Sequence, residues 1–308
     1  MPEPAILFNG TTKRFGKRTA VNSLNLSIPE GSVTAFLGPN GAGKTTAIKL
    51  LMGLHSPDCG DVRVLGHDSR KLPSSAFERI GYVSENQRQP TWMTVRQLLD
   101  YCRPLYPQWD RDLEARLLKE FALPPEQKLK HLSRGQLMKA ALLSSLAYRP
   151  RLVVLDEPFS GLDPLARDEF IRGLLELTEG EGWTVFLSSH DIGEVERLAD
   201  RVAIINEGQL QLHESIADLQ QRVRRVTLSF PDTATVPDNL PAAWLQPEPS
   251  GRIVRFTDTA WNDETSLALI ASHFAQATLQ DSAPLTLRET FVIFSRQFRL
   301  DSSLPAAS

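Results

Sequence analysis

One stretch limits what this chain can fold into more than any other, and it runs from Ser32 to Leu51. Val33, Ala35, Phe36 and Leu37 form an apolar run. Gly38-Pro39-Asn40-Gly41-Ala42-Gly43-Lys44-Thr45-Thr46 follows, and Ala47-Ile48-Lys49-Leu50-Leu51 completes it. The order is strand, glycine-rich turn, helix, with G-x-x-x-x-G-K-[ST] at the centre. Glycines 38, 41 and 43 let the backbone bend tightly and bring its N–H groups to phosphate oxygens with no Cβ in the way. The helix that opens near Gly43 aims the positive end of its dipole at the same anion. Lys44 adds a point charge that reaches β- and γ-phosphates, and Thr45 offers a hydroxyl to Mg²⁺.

The rest of the chain supplies a sheet for that loop. Ala5–Phe8 and Leu24–Ile28 read as strands ahead of it. Asp61–Leu65 and Ile80–Val83 read as strands after it. Residues 86–150 change character: helical patterns at Val95–Tyr101, Leu113–Phe121 and Gln136–Ala147 are separated by prolines, as in a helical insert. Alternation then resumes with strands at 152–155, 184–187 and 202–205 and helices at 164–177 and 192–198. Strands alternating with helices predict an α/β fold with a mostly parallel sheet wrapped by helices. The antiparallel strands before the loop form a separate N-terminal β subdomain. From about 222, two strands (226–230, 253–256), a proline-rich stretch and two helices (266–274, 287–298) predict a small C-terminal α+β extension. The expected division is 4–222, then 223–298, then a disordered tail at 299–308.

Leu152-Val153-Val154-Leu155-Asp156-Glu157 is the second strong signal. Two carboxylates end a buried strand, and Pro158 stops it, as suits a site at a strand's carboxyl end. Asp156 is placed to hold Mg²⁺ through water. Glu157 lies beyond it, where a carboxylate polarises an attacking water, an effect of roughly 10²–10⁴-fold in rate. The net charge of −3 gives no basic excess of the kind a nucleic-acid binder shows, so no nucleic-acid partner is expected. Cys59 and Cys102 stand in no metal or redox spacing, and Met1–Pro4 does not read as a signal peptide. No run of 18 apolar residues occurs, so a role at a membrane requires a partner chain.

Further motifs carry a family resemblance. Leu132-Ser133-Arg134-Gly135-Gln136 resembles the LSGGQ signature, and Ser160-Gly161-Leu162-Asp163 resembles the D-loop, of ATP-binding cassette (ABC) transporter ATPases. His190 in Leu187-Ser188-Ser189-His190-Asp191 resembles their switch histidine, and Phe15 stands where they place an aromatic that stacks on adenine. The resemblance covers about residues 4–222. It implies Mg²⁺-dependent ATP hydrolysis by two such domains meeting head to tail. Ser133, Arg134, Gly135 and Gln136 of one then close over the ATP held by Gly38–Thr46 of the other, with Asp163 of the D-loop among the nucleotide-binding residues and His190 on the γ-phosphate. It also implies a separately encoded transmembrane permease, a second ABC ATPase subunit (the same chain or a paired one), and a peripheral location on the cytoplasmic face of the inner or plasma membrane. A soluble cassette acting on ribosomes or DNA is the competing reading. Such relatives usually carry two cassettes or a long coiled-coil insertion, and this chain has neither.

The chain departs from the pattern twice. Where the family ends Gly-Tyr-x-x-Gln, this chain has Gly81-Tyr82-Val83-Ser84-Glu85, followed by Asn86 and Gln87. By register Glu85 takes the position, reaching Mg²⁺ or the lytic water, with Gln87 as rival. Arg134 replaces a signature glycine, so that residue need not adopt positive φ. Its guanidinium either faces solvent or adds charge near the partner's ATP. Pro284–Phe291 and the 222–298 unit resemble the extension of the type-2 exporter branch. Tyr101–Asp110 reads either as a docking surface for a membrane partner or as a local core.

Overall fold

The computed structural model describes residues 3–303 with the exception of Asn86. The short apolar runs near the N-terminus are the buried parts of longer strands. Strand β1 (Ile6–Phe15) and strand β2 (Arg18–Ile28) pair antiparallel as a hairpin that turns at Gly16-Lys17. Their inner positions Ile6, Phe8, Val21, Leu24, Leu26 and Ile28 are buried. The hairpin's polar outer end, around Lys13–Lys17, hid its length from hydrophobic alternation. Strand β3 (Val33–Leu37) then enters a second sheet and helix α1 (Lys44–Leu51) leaves the loop that follows. Strands β4 (Cys59–Val64) and β5 (His67–Asp68) return to the first sheet, whose order is β2-β1-β4-β5. Phe8, Val62, Ile48, Leu51, Val154 and Phe186 belong to one hydrophobic cluster. Helix α1 is therefore held by apolar contact from both sheets, and the loop before it has a rigid support.

The short helix α2 (Ser74–Phe77) precedes strand β6 (Ile80–Ser84). The helical region follows as α3 (Val95–Cys102), α4 (Arg111–Glu120) and α5 (Arg134–Leu146). Thr94, Asp110 and Ser133 cap these helices, each accepting main-chain N–H groups that would otherwise lack a partner. Part of the Tyr101–Asp110 segment forms a local core. Tyr106 stacks on Tyr148 at 3.8 Å and Trp109 donates to Glu114, whereas Tyr101 and Leu105 are exposed.

Strand β7 (Leu152–Asp156), helix α6 (Pro164–Glu181) and strand β8 (Thr184–Ser189) come next. Helix α7 (Ile192–Val195), strand β9 (Arg201–Asn206) and strand β10 (Gln209–Ser215) complete the sheet in the order β10-β9-β3-β8-β7-β6. β3 pairs parallel with β8 and β9, β7 with β6 and β8. Every residue of β7 and β8 is buried, as the unbroken apolar run predicts for strands covered on both faces. The register is what builds a site. Ser84 lies opposite Asp156, Asp156 opposite Ser188, and Leu37 opposite Ser189. The carboxyl ends of four strands finish along one edge, where open α/β sheets place their ligands.

The chain divides into two units between His213 and Glu214, earlier than the expected boundary at 222. Helix α8 (Ile216–Arg222) falls in the second unit: Arg222 pairs with Glu214, and its carbonyl accepts from the Trp261 N–H at 2.8 Å. That unit holds an antiparallel sheet of β11 (Arg224–Ser229), β12 (Trp244–Ser250), β13 (Ile253–Asp258) and β14 (Thr278–Pro284) in the order β12-β13-β11-β14. Trp244, Phe256 and Phe274 form its core with Ile270 of helix α9 (Asp263–His273). The buried Asp258 carboxylate accepts from Trp244, Ser266 and the Ala260 N–H. Strands β12 and β14 were not expected. Both are edge strands containing proline (Pro247 and Pro249 in one, Pro284 in the other), and proline is tolerated at an edge. The last helix, α10 (Leu287–Ser303), continues beyond residue 299, where the disordered tail was expected to start. The remainder of that tail, 304–308, lies outside the described residues.

Candidate functional site

The loop from Gly38 to Gly43 is shaped by what its glycines avoid. A Cβ on Gly43 would sit 2.3 Å from the Ala20 carbonyl oxygen, and Gly43 holds φ 108° as the residue that opens α1. A Cβ on Gly38 would lie 2.3 Å from the Ile205 carbonyl oxygen. Only glycine fits at either point. The Ala42 N–H bonds to Pro39, and the Ala42 carbonyl accepts from the Gly208 N–H at 2.9 Å. The loop is thus tied to itself and to the turn after β9.

Lys44 is the first residue of α1 and is 5% exposed. Its Nζ donates to the Gly38 carbonyl at 2.7 Å and the Pro39 carbonyl at 3.3 Å, and lies 3.1 Å from Glu157 Oε1. Next to it, Thr45 Oγ1 donates to Asp156 Oδ1 at 3.2 Å, and Ser188 Oγ donates to the same oxygen at 2.8 Å. Burial pushes the Asp156 carboxyl above the usual carboxylate range; the Ser188 and Thr45 hydroxyls pull the other way.

In a regular strand the neighbours Asp156 and Glu157 would face opposite sides. Glu157 instead has φ 51°, a left-handed conformation for a residue with a side chain. Such a residue costs about 1–3 kcal/mol and persists where its surroundings dictate it. Here the Glu157 N–H is held by Ser188 Oγ at 3.0 Å. The turn brings Glu157 back towards Lys44, and His190 at the end of β8 meets it from the far side, Nδ1 lying 2.7 Å from Oε2. Glu157 is therefore gripped through both carboxylate oxygens, by Lys44 at the start of α1 and by His190 just past β8.

Asn40, Gly41, Gly43, Lys44, Thr45, Thr46, Glu85, Glu157 and His190 are among the residues lining a cavity of about 460 Å³; Gly38, Pro39, Ala42 and Asp156 do not line it. Glu85 follows β6, and its main-chain N–H bonds to the Asp156 carbonyl at 3.0 Å. Its Oε1 accepts from Ser160 Oγ at 2.7 Å and from Arg134 Nη2 at 2.9 Å. Gln87 does not line this cavity. It lines a neighbouring groove of similar volume, together with Glu85 and Arg134. The Arg134 guanidinium is half exposed and pairs with Glu85 of its own chain, a contact not foreseen from the sequence.

The remaining expected site residues stand apart. Ser133 and Gln136 form a reciprocal cap at the start of α5, with Gln136 N–H to Ser133 Oγ at 3.2 Å and Ser133 N–H to Gln136 Oε1 at 3.0 Å. Gly135 is buried against Ala166, and Asp163 caps α6 by accepting from the Ala166 N–H. None of them lines the cavity. Phe15 does not line it either: its ring is 46% exposed, edge-on to His55, with Lys13 Nζ 5.5 Å from its centre. The sequence reading missed Arg18, which lines the cavity and donates to the Gly41 carbonyl, and also Ser160 and Ser188. For Ser188 there was a signal: it is a hydroxyl at the buried carboxyl end of an apolar strand.

Known proteins resemble this chain in sequence and in fold. The family model for the ABC transporter matches residues 21–160. The chain is 31% identical over 218 residues to the bacitracin transport ATP-binding protein BcrA of Enterococcus faecalis, covering 70% of this chain and 71% of that protein. It is 35% identical over 263 residues to the Nod factor export ATP-binding protein I of Burkholderia lata, covering 82% and 85%. Among solved structures it resembles cbiO1 of Clostridium perfringens, part of the ABC transporter complex cbiONQ. There the TM-score is 0.61 and identity 26%, over 70% of this chain and 89% of that one.

Proposed function

This chain belongs to the ABC transporter family, and we propose that it binds Mg²⁺–ATP on the Gly38–Thr46 loop and hydrolyses it with Glu157 as base to drive export. Membership makes it an ATP-binding subunit with transport-coupled ATPase activity. The observation that carries the finer reading is the convergence of Lys44, Glu157 and His190, drawn from three separate segments, in one cavity.

Lys44 is held by three oxygens, of which the Glu157 carboxylate is the one a phosphate replaces. Binding exchanges that contact for β- and γ-phosphate oxygens and releases Glu157 Oε1 to accept a proton from water. His190 keeps Oε2 and so holds the carboxylate in place while its other oxygen works. The donor set beside the loop fits Mg²⁺, since Thr45 Oγ1 and Asp156 Oδ1 are hard oxygens already 3.2 Å apart. Thr45, Asp156 and Glu85 are the residues that would hold it, and bound there it neutralises charge on the phosphates. Phe15 offers its exposed face to the adenine.

Ser133, Arg134, Gly135 and Gln136 lie outside their own chain's cavity, which supports a site completed by a second cassette subunit. The Arg134 and Gly135 N–H groups at the start of α5 would then face a γ-phosphate. Among the described residues no helix is long and apolar enough to cross a membrane. The reading we favour has a permease on a separate chain and this subunit on the cytoplasmic face, and the names of the bacitracin and Nod factor relatives favour export.

Glu157→Gln tests the base. It should lower ATP turnover by roughly 10²–10⁴-fold and leave ATP binding intact, with an ATP-stabilised dimer in gel filtration. Turnover at the wild-type rate would remove Glu157 from the mechanism.

A further inference from the structure

We propose that Arg134 is a positioning residue for hydrolysis: through an ion pair with Glu85 of its own chain, it holds that carboxylate at the wall of the nucleotide cavity. The inference rests on the ATPase reading above.

The two ends of this pair are the two positions at which the chain departs from the resemblance drawn from its motifs. Glu85 stands where a neutral amide was expected, and Arg134 where a glycine was. An amide there would need no cationic partner, and a glycine would supply none. The departures account for each other.

Both ends are anchored independently of their contact. The Glu85 backbone is fixed beside Asp156 by its N–H, one step beyond the β6–β7 ladder. Arg134 is the first residue of α5, and the cap before it uses Ser133 and Gln136, leaving the arginine side chain out of the cap. The guanidinium then passes close over Gly161. A Cβ at Gly161 would fall 2.2 Å from Nη1 and 2.4 Å from Cζ, and Gly161 holds φ 67°. Glycine suits that conformation, and a side chain there would push the Arg134 guanidinium from its place.

Glu85 Oε1 takes the bonds from Arg134 and from Ser160, leaving Oε2 outside both. A glutamate side chain has three torsions, and fixing one oxygen with two donors removes most of that freedom before substrate arrives. This is how a carboxylate is held within reach of a reacting centre. Glu85 lines the cavity and the neighbouring groove, whereas Arg134 lines only the groove, so the pair forms part of the wall between them. Structural support is a poor explanation for it. The side chains are 52% and 32% exposed, and ion pairs so open to water contribute little to folding.

The test is steady-state ATPase kinetics on the full chain, with ATP and Mg²⁺ varied separately and thermal melts alongside. Arg134→Ala should lower kcat by about five- to tenfold, the scale of a charge-assisted contact, and change KM for ATP by less than about twofold. Its melting point should match wild type. Arg134→Lys should recover most of the rate. The double variant Arg134→Ala/Glu85→Gln should lose no more than Glu85→Gln alone, because one interaction is removed only once. Wild-type kcat in Arg134→Ala would overturn the proposal, as would losses that multiply in the double variant. So would a rise in KM alone, which is what an arginine acting directly on a partner's nucleotide would give. Glu157→Gln separates the two levels. If it turns over normally, the ATPase reading itself is wrong. If it is inactive while Arg134→Ala is normal, only the positioning role is lost.

Discussion

Asp156 is 4% exposed and accepts two hydroxyl donors, and burial holds its carboxyl above the usual range. A raised native pKa means that the folded chain binds this proton more tightly than the unfolded chain does. Stability from this group is therefore lost as pH rises from the usual carboxylate value through the raised one, and stays lost at neutral pH. Asn in its place keeps an acceptor for Ser188 and Thr45 and carries no charge. Asp156→Asn is expected to melt higher than wild type at pH 7.5 without nucleotide, with a flatter pH profile on the acid side. Its Mg²⁺-dependent turnover should fall on the order of 10²-fold or more. A lower melting point at pH 7.5 would contradict the account of Asp156 as a strained charge. The two acids at 156 and 157 were legible because a buried apolar run ends in them. The left-handed turn at Glu157 was not. No local signal marks a glutamate for positive φ, and it arises from Ser188, which the register brings from another strand. Arg18 and Ser160 escaped for the same reason.

The elements divide along a similar line. The strand, loop and helix from Ser32 to Leu51 were readable because propensity, glycine placement and apolar spacing all agree there. β12 and β14 were not, because their prolines speak against strands and only their edge positions reconcile the two. Helix α1 matters most to the site. It has eight residues, too few to be stable alone, so packing must hold it. Ile48 is fully buried in the cluster it shares with Phe8 and Phe186. Ile48→Ala should cost about 2–5 kcal/mol in urea unfolding with an unchanged slope. It should also weaken ATP binding, because Lys44 and Thr45 ride on the same helix. A loss of stability with full ATP affinity would show that the loop holds its shape without α1's core contacts.

At the scale of the whole molecule, the proposed function needs the capped start of α5, which lies elsewhere on the chain from Lys44 and Glu157, to complete a site. None of Ser133–Gln136 lines the cavity that holds Lys44. If two copies meet head to tail, each site takes Lys44 from one chain and Ser133–Gln136 from the other. Two inactive variants then distinguish this arrangement from a self-sufficient chain. Lys44→Ala removes the phosphate contact. Ser133→Glu places a negative charge where a γ-phosphate would come, at a helix N-terminus that tolerates an acid. Each variant alone should be nearly inactive. In a mixed dimer one site carries both defects and the other carries neither. An equal mixture that pairs at random should therefore recover about a quarter of the wild-type rate, since half the dimers are mixed and half of their sites are intact. The recovered rate per chain should also fall on dilution, as the dimer dissociates. An inactive mixture, beside a wild-type control that is active and dimeric, would rule out the exchange of Ser133–Gln136 between identical chains.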